Sequence, residues 1–99
     1  MFIVTLRYKA PLADIEQALP GHRDWLIRNY SEGVFLLSGP LNPHTGGVIL
    51  AHGLTRDELD ARLADDPFNK GKLADYDVVE LLPRGADPRL AFLVGNDPT

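Results

Sequence analysis

A histidine on the inner stripe of one helix and an aspartate where a second helix gives way to a turn are the residues best suited to chemistry, His22 and Asp66. An imidazole exchanges protons near neutral pH, and a carboxylate bonded to one of its nitrogens fixes the tautomer and leaves the other nitrogen for a substrate. Together they would form a general acid/base pair. The ordinary alternative for a histidine on an apolar stripe is a core side chain satisfied by one hydrogen bond. For Asp65-Asp66-Pro67-Phe68 it is a helix stop with a solvated acidic pair and Phe68 as a core plug. Carboxylates at a helix C-terminus oppose the helix dipole, so that placement asks for a reason.

Other candidates surround this pair. Ser38, before Gly39-Pro40, can present a hydroxyl to a pocket, but no Gly-x-Ser-x-Gly elbow exists to make it a hydrolase nucleophile. Arg7, with Thr5, points to the sheet face opposite Tyr8, where it can bind an anionic group at an interface or simply form a surface ion pair. Phe68 is a candidate for the pocket wall. His44 lies in a Pro/Gly-rich loop and reads as solvated, and His52 falls at a strand end. The three histidines lack the short spacing of metal ligands, so no metal is assigned. Gly46-Gly47 reads as a turn; no phosphate loop or dinucleotide fingerprint is present, and no cofactor is expected.

The elements that must position these residues follow from periodicity. Phe2, Val4, Leu6 and Tyr8 alternate with Ile3, Thr5, Arg7 and Lys9, the pattern of a strand with one apolar face. Leu12, Ile15, Leu19, His22, Leu26 and Tyr30 recur at steps of three and four, which predicts helix from about 12 to 31. Pro20-Gly21 should split that segment into a short turn and a main helix starting near Pro20, with Gly33 as the stop. Val34 to Leu37 and Val48 to Ala51 read as an antiparallel pair joined by a turn-rich loop from Leu41 to Gly47.

Thr55-Arg-Asp-Glu58 is a capping box, flanked by Leu54 and Leu59 as a hydrophobic staple, so a second helix begins near residue 56. The Asp66-Pro67 step ends it. Tyr76 to Leu82 is the last clear strand. Two segments follow as domain and appendage: residues 1–83 form the folded unit, and 84–99 a C-terminal tail in which Leu90 to Val94 reads as an added strand or an interface arm.

The order β-α-β-β-α-β predicts an α+β, ferredoxin-like antiparallel sheet with both helices on one face. The strands at 34–37 and 48–51, taken as the inner pair, are apolar on both sides, while two helices cover only one. The uncovered face predicts a homodimer joined sheet to sheet. A tail folded over the sheet is the alternative.

Composition narrows the function classes. The chain has 99 residues, 44% hydrophobic and 24% charged, which fits one ordinary globular domain. A net charge of −4 with no clustered basic face argues against nucleic acid and anionic membranes as partners. No apolar run approaches the roughly 20 residues of a membrane span, and the N-terminus lacks a secretory pattern, so the expected location is cytoplasmic. Without cysteine there is no disulfide and no thiolate chemistry.

Several short motifs in order resemble the YCII-related (YciI-like) family: His22 with Leu26, Gly33, Ser38-Gly39-Pro40, Gly46-Gly47, and Asp66-Pro67-Phe68. The resemblance runs from about Phe2 to Pro83. It implies a ferredoxin-like dimer of the α/β-barrel type, with a pocket near the subunit interface and a site built from His22 and Asp66. The activity attributed within that family is of lyase type, dehydrochlorination of a chlorinated hydroxyquinol. Leu19 stands where the family often has an arginine three residues before the histidine, so any role of that arginine would not transfer. The leading expectation is a cofactor-independent lyase or isomerase acting on a small, aromatic or ring-shaped molecule. The alternative is a dimeric module that binds a small ligand without turning it over.

Overall fold

The computed structural model describes residues 1–95. Four strands, β1 (Phe2–Tyr8), β2 (Phe35–Pro40), β3 (Gly46–Ala51) and β4 (Ala74–Glu80), form one antiparallel sheet in the order β2-β3-β1-β4. Helices α1 (Leu12–Ser31), α2 (Arg56–Ala64) and the short α3 (Pro67–Lys70) cover one face. The fold is ferredoxin-like, as the element order predicts. Strand order is not local information, however, and the pair at 34–37 and 48–51 is not the inner pair. The β2–β3 hairpin puts β2 at an edge, and β1 enters between β3 and β4.

The strand alternation fixes which side chains meet the helices. Phe2, Val4 and Leu6 from β1 join Phe35, Ile49, Ala51 and Ala74 from the other strands, and Ile15, Trp25, Leu59, Leu63 and Phe68 close the core from above. On the opposite face the register lines up Leu37, Leu50, Ile3 and Val79 across all four strands. Helices α1, α2 and α3 all pack on the other face. Arg7 pairs with Asp77 at 3.2 Å and Lys9 with Asp75 at 3.0 Å beside that row.

Several local expectations are corrected by tertiary context. Helix α1 runs unbroken through Pro20. An interior proline costs about 3 kcal/mol, but ending the helix there would expose Ile15, which is 2% accessible, and half-buried Ala18 and Leu19. Burying one such side chain stabilises by about 1.5–3 kcal/mol, enough to offset the break. Strand β2 runs past the apolar stretch that ends at Leu37 and takes in Ser38-Gly39-Pro40, since Ser38 pairs with Ile49 and Pro40 with Gly47. Proline is tolerated there because β2 is an edge.

In the tail, only the added-strand reading is changed. Pro88–Leu93 is a 3-10 helix started by Asp87, whose carboxylate accepts from the Arg89 N–H at 2.9 Å, and among the described residues the tail adds no strand. Phe92 meets His52 edge-on at 5.4 Å. Residues 96–99 of the tail lie outside the described residues. The last strand begins two residues earlier than its apolar run suggested, at Ala74, because Tyr8 pairs with it.

The second helix starts where its capping box placed it. The Thr55 hydroxyl accepts from the Glu58 N–H at 3.2 Å, and Glu58 accepts from the Thr55 N–H at 2.9 Å. Those bonds hold the Glu58 carboxyl below its ordinary range. Gly33, with φ at +77°, ends α1 and donates its N–H to the Tyr30 carbonyl. No described helix is long and apolar enough to cross a membrane.

Candidate functional site

The site begins with two tripeptides. Pro20-Gly21-His22 on α1 faces Asp66-Pro67-Phe68 at the start of α3, and the fit depends on Gly21, where a Cβ would stand 3.2 Å from Pro67 Cγ. That closeness carries His22 against Asp66, Nδ1 to Oδ1 at 2.7 Å. The sequence reading placed Asp66 at the unfavourable end of a helix. It is instead the N-cap of α3, accepting the Phe68 N–H on Oδ1 at 3.0 Å, with Pro67 at the first helical position. The residue that ends α2 is Asp65.

Asp66 is fully buried and His22 nearly so, at 0% and 9% exposure. A buried carboxylate only accepts, so His22 must carry its proton on Nδ1, which leaves Nε2 as the ring nitrogen with a free lone pair. Phe68 lies flat against the imidazole, centroids 3.9 Å apart and planes within 5°. Trp25 flanks it at 5.5 Å, and its indole N–H donates to the Arg62 carbonyl at 3.0 Å. The ring is therefore gripped on one face and one edge.

A third group, absent from the sequence reading, completes the network. Tyr76 on β4 donates its hydroxyl to Asp66 Oδ2 at 2.5 Å. Burial, with the adjoining carboxylate, pushes the Tyr76 phenol far above its usual range, so it remains a donor at any physiological pH. Asp66 thus accepts three hydrogen bonds, one per donor from α1, α3 and β4. The signal existed in the sequence: strand parity turns Tyr76 toward the helices, and an inward phenol needs a partner.

His22 opens onto a cavity of about 280 Å³ between α1, β1 and the β2–β3 hairpin. Leu6, Ile15, Leu19, Leu26 and Ile49 make its walls apolar, and Phe68 forms part of its lining. Ser38 also lines it, but its hydroxyl is hydrogen-bonded to that of Tyr30. Arg7 is elsewhere, on the open sheet face with Asp77, so it does not meet His22 in this cavity. His44 is solvent-exposed, as read from its loop, and also borders the cavity, its Nε2 3.1 Å from the Tyr8 hydroxyl. What brings it there is the register of β1 with the hairpin, which no local pattern encodes.

An imidazole whose Nδ1–H is anchored by a buried carboxylate, bordering an apolar cavity of ligand size, can take a proton from a bound molecule on its other nitrogen, Nε2, and return it. No curated protein matches the sequence. Among solved structures, the fold is similar to that of 5-chloro-2-hydroxyhydroquinone dehydrochlorinase from Burkholderia phenoliruptrix AC1100, determined with 2,5-dihydroxybenzoquinone. The TM-score is 0.68 at 19% identity, over 82% of this chain and 93% of that one, which is a likeness of fold. The YCII-related domain matches residues 1–82, and on that match, with the motifs and fold that accompany it, the chain belongs to the YCII-related family.

Proposed function

We propose that this protein is a cofactor-independent enzyme of lyase or isomerase type, with His22 as general acid/base and Asp66 as the residue that orients it. The observation that carries the reading is the 2.7 Å bond from a nearly buried imidazole to a fully buried carboxylate, beside an apolar cavity. Nε2 takes a proton from an acidic O–H or C–H of the bound molecule. The electron pair left behind forms a new double bond and expels a leaving group, or re-protonates at another carbon, with Nε2–H as the proton source. Asp66 stabilises the imidazolium formed in between. A small oxygenated ring suits the cavity, and the fold relative's dihydroxybenzoquinone ligand is of that class.

The test is turnover of a chlorinated hydroxyquinol by the wild type and by His22→Gln. The substitution is expected to lower kcat by about 10²- to 10⁴-fold, the usual contribution of general acid/base catalysis. Ligand affinity should stay within about threefold, because proton transfer is not ground-state binding. A non-catalytic binding module would show ligand affinity with no turnover in either protein. A purely structural histidine would show lowered stability and unchanged kcat.

The same reading includes a homodimer. The row Leu37, Leu50, Ile3 and Val79 supports it, since Leu37 and Val79 are 55% and 59% exposed on the sheet face away from α1, α2 and α3. In sedimentation, the wild type is expected at twice the chain mass of 10.9 kDa, and Leu37→Glu with Val79→Lys at that mass itself. A wild type that sediments as a monomer would end this part of the reading. Arg7, on that face, is then a candidate for the interface rather than for the His22 cavity.

A further inference from the structure

The His22 cavity holds a second pair of titratable rings that the acid/base reading leaves unused. Tyr8 and His44 both line it, and the Tyr8 hydroxyl meets His44 Nε2 at 3.1 Å with the rings edge-to-face at 5.3 Å. Phe68 is the ring between the two polar ends: His22 lies flat on it, and Tyr8 meets it edge-on at 6.0 Å.

This placement is built into the backbone rather than left to a loose loop. The Tyr8 N–H donates to the Thr45 carbonyl at 3.0 Å, the Thr45 N–H to the Pro43 carbonyl at 2.8 Å, and the Leu41 N–H to the Gly46 carbonyl at 2.8 Å. His44 sits inside that set of bonds, anchored to the end of β1. Partial burial raises the Tyr8 phenol above its ordinary value, so the hydroxyl keeps its proton.

We propose that Tyr8 and His44 form a second polar locus that binds the far oxygen of a ring ligand whose near end meets His22, so that the cavity selects rings carrying two oxygens over rings carrying one. The proposal rests on the small-ring reading of the site above. The pair suits an oxygen in either protonation state. With the His44 proton on Nδ1, Tyr8 donates to Nε2 and its oxygen accepts from a ligand hydroxyl. With the proton on Nε2, His44 donates to Tyr8, whose O–H is then free to donate to a ligand carbonyl.

The experiment compares the affinities of hydroquinone and phenol, two rings that differ by the far hydroxyl, for the wild type, Tyr8→Phe and His22→Gln. The wild type is expected to prefer hydroquinone by about tenfold, one good hydrogen bond. Tyr8→Phe, which keeps the ring, should bring the two affinities together, and His22→Gln should keep the preference. In the wild type, the His44 ¹⁵Nε2 resonance should shift on adding hydroquinone and not on adding phenol, a readout that a structural role for Tyr8 would not move. Equal wild-type affinities, absence of saturable binding by either ring, or a preference that survives in Tyr8→Phe would overturn the proposal. Loss of turnover in His22→Gln is measured separately, so either result stands without the other.

Discussion

Asp66→Ala is expected to remove about 3–5 kcal/mol of stability, the range seen when one partner of a buried charged network is deleted. The carboxylate is fully buried and accepts from the His22 imidazole, the Phe68 N–H and the Tyr76 hydroxyl. Alanine strands all three donors, each with a desolvation cost of about 1–3 kcal/mol if water cannot reach it. At about 4–8 °C per kcal/mol for a domain of this size, the midpoint should fall by at least about 12 °C in a thermal melt.

Asp66→Asn separates shape from charge. The amide keeps an oxygen for His22 and Phe68 and turns its NH₂ toward Tyr76, whose hydroxyl must then accept. Its stability loss is expected near 1 kcal/mol. Under the proposed function, its loss of turnover should still reach about 10²-fold or more, since a neutral amide does not stabilise an imidazolium. An Asp66→Ala protein that melts within a few degrees of the wild type would mean that solvent enters the network and supplies the missing partner.

The second large effect belongs to a position with no functional group. A Cβ on Gly46 would lie 1.8 Å from the Leu6 carbonyl oxygen and 2.8 Å from its carbon. These are backbone atoms of the central strand, paired in register with the start of β3, and no rotamer change relieves the clash. Gly46→Ala is therefore expected to cost about 3 kcal/mol or more, the upper end of overpacking penalties. It should also detach the hairpin end that carries His44. Gly85→Ala, where an added Cβ meets nothing within 4 Å, is the control and should stay within about 0.5 kcal/mol. Urea denaturation of the two variants gives the comparison; equal midpoints would show that β3 shifts at little cost.

These cases show which features the sequence made legible. The Thr55/Glu58 box, the alternation from Phe2 to Tyr8, and Gly33 at the end of α1 could be read because each is decided by atoms within a few residues. Pro20 misled for the same reason: the local rule is real, but burial of Ile15 and its neighbours outweighs it. The proximity of His22 and Asp66 was legible from the helical stripe, the Asp-Pro step and the family motifs. That Asp66 opens a helical turn was not, because the four residues of α3 are too few to show periodicity. Tyr76 and the Tyr8–His44 pair depend on which strands lie side by side, and an order of β2-β3-β1-β4 is set by the whole core.

The meeting of the two tripeptides has a consequence for how the molecule is made. His22 and Asp66 stand 44 residues apart in the chain, and the pair has no short-range contact to hold it before the fold closes. Tyr76 arrives ten residues after Asp66 and on the last strand, which must pair with β1, the first. A chain emerging during synthesis can form α1 and the β2–β3 hairpin early, yet the hydrogen-bonded network of His22, Asp66 and Tyr76 stays unfinished until residue 76 has been added. The network is thus completed by the final strand, and a truncated chain lacking it carries the histidine and the aspartate without the Tyr76 hydrogen bond.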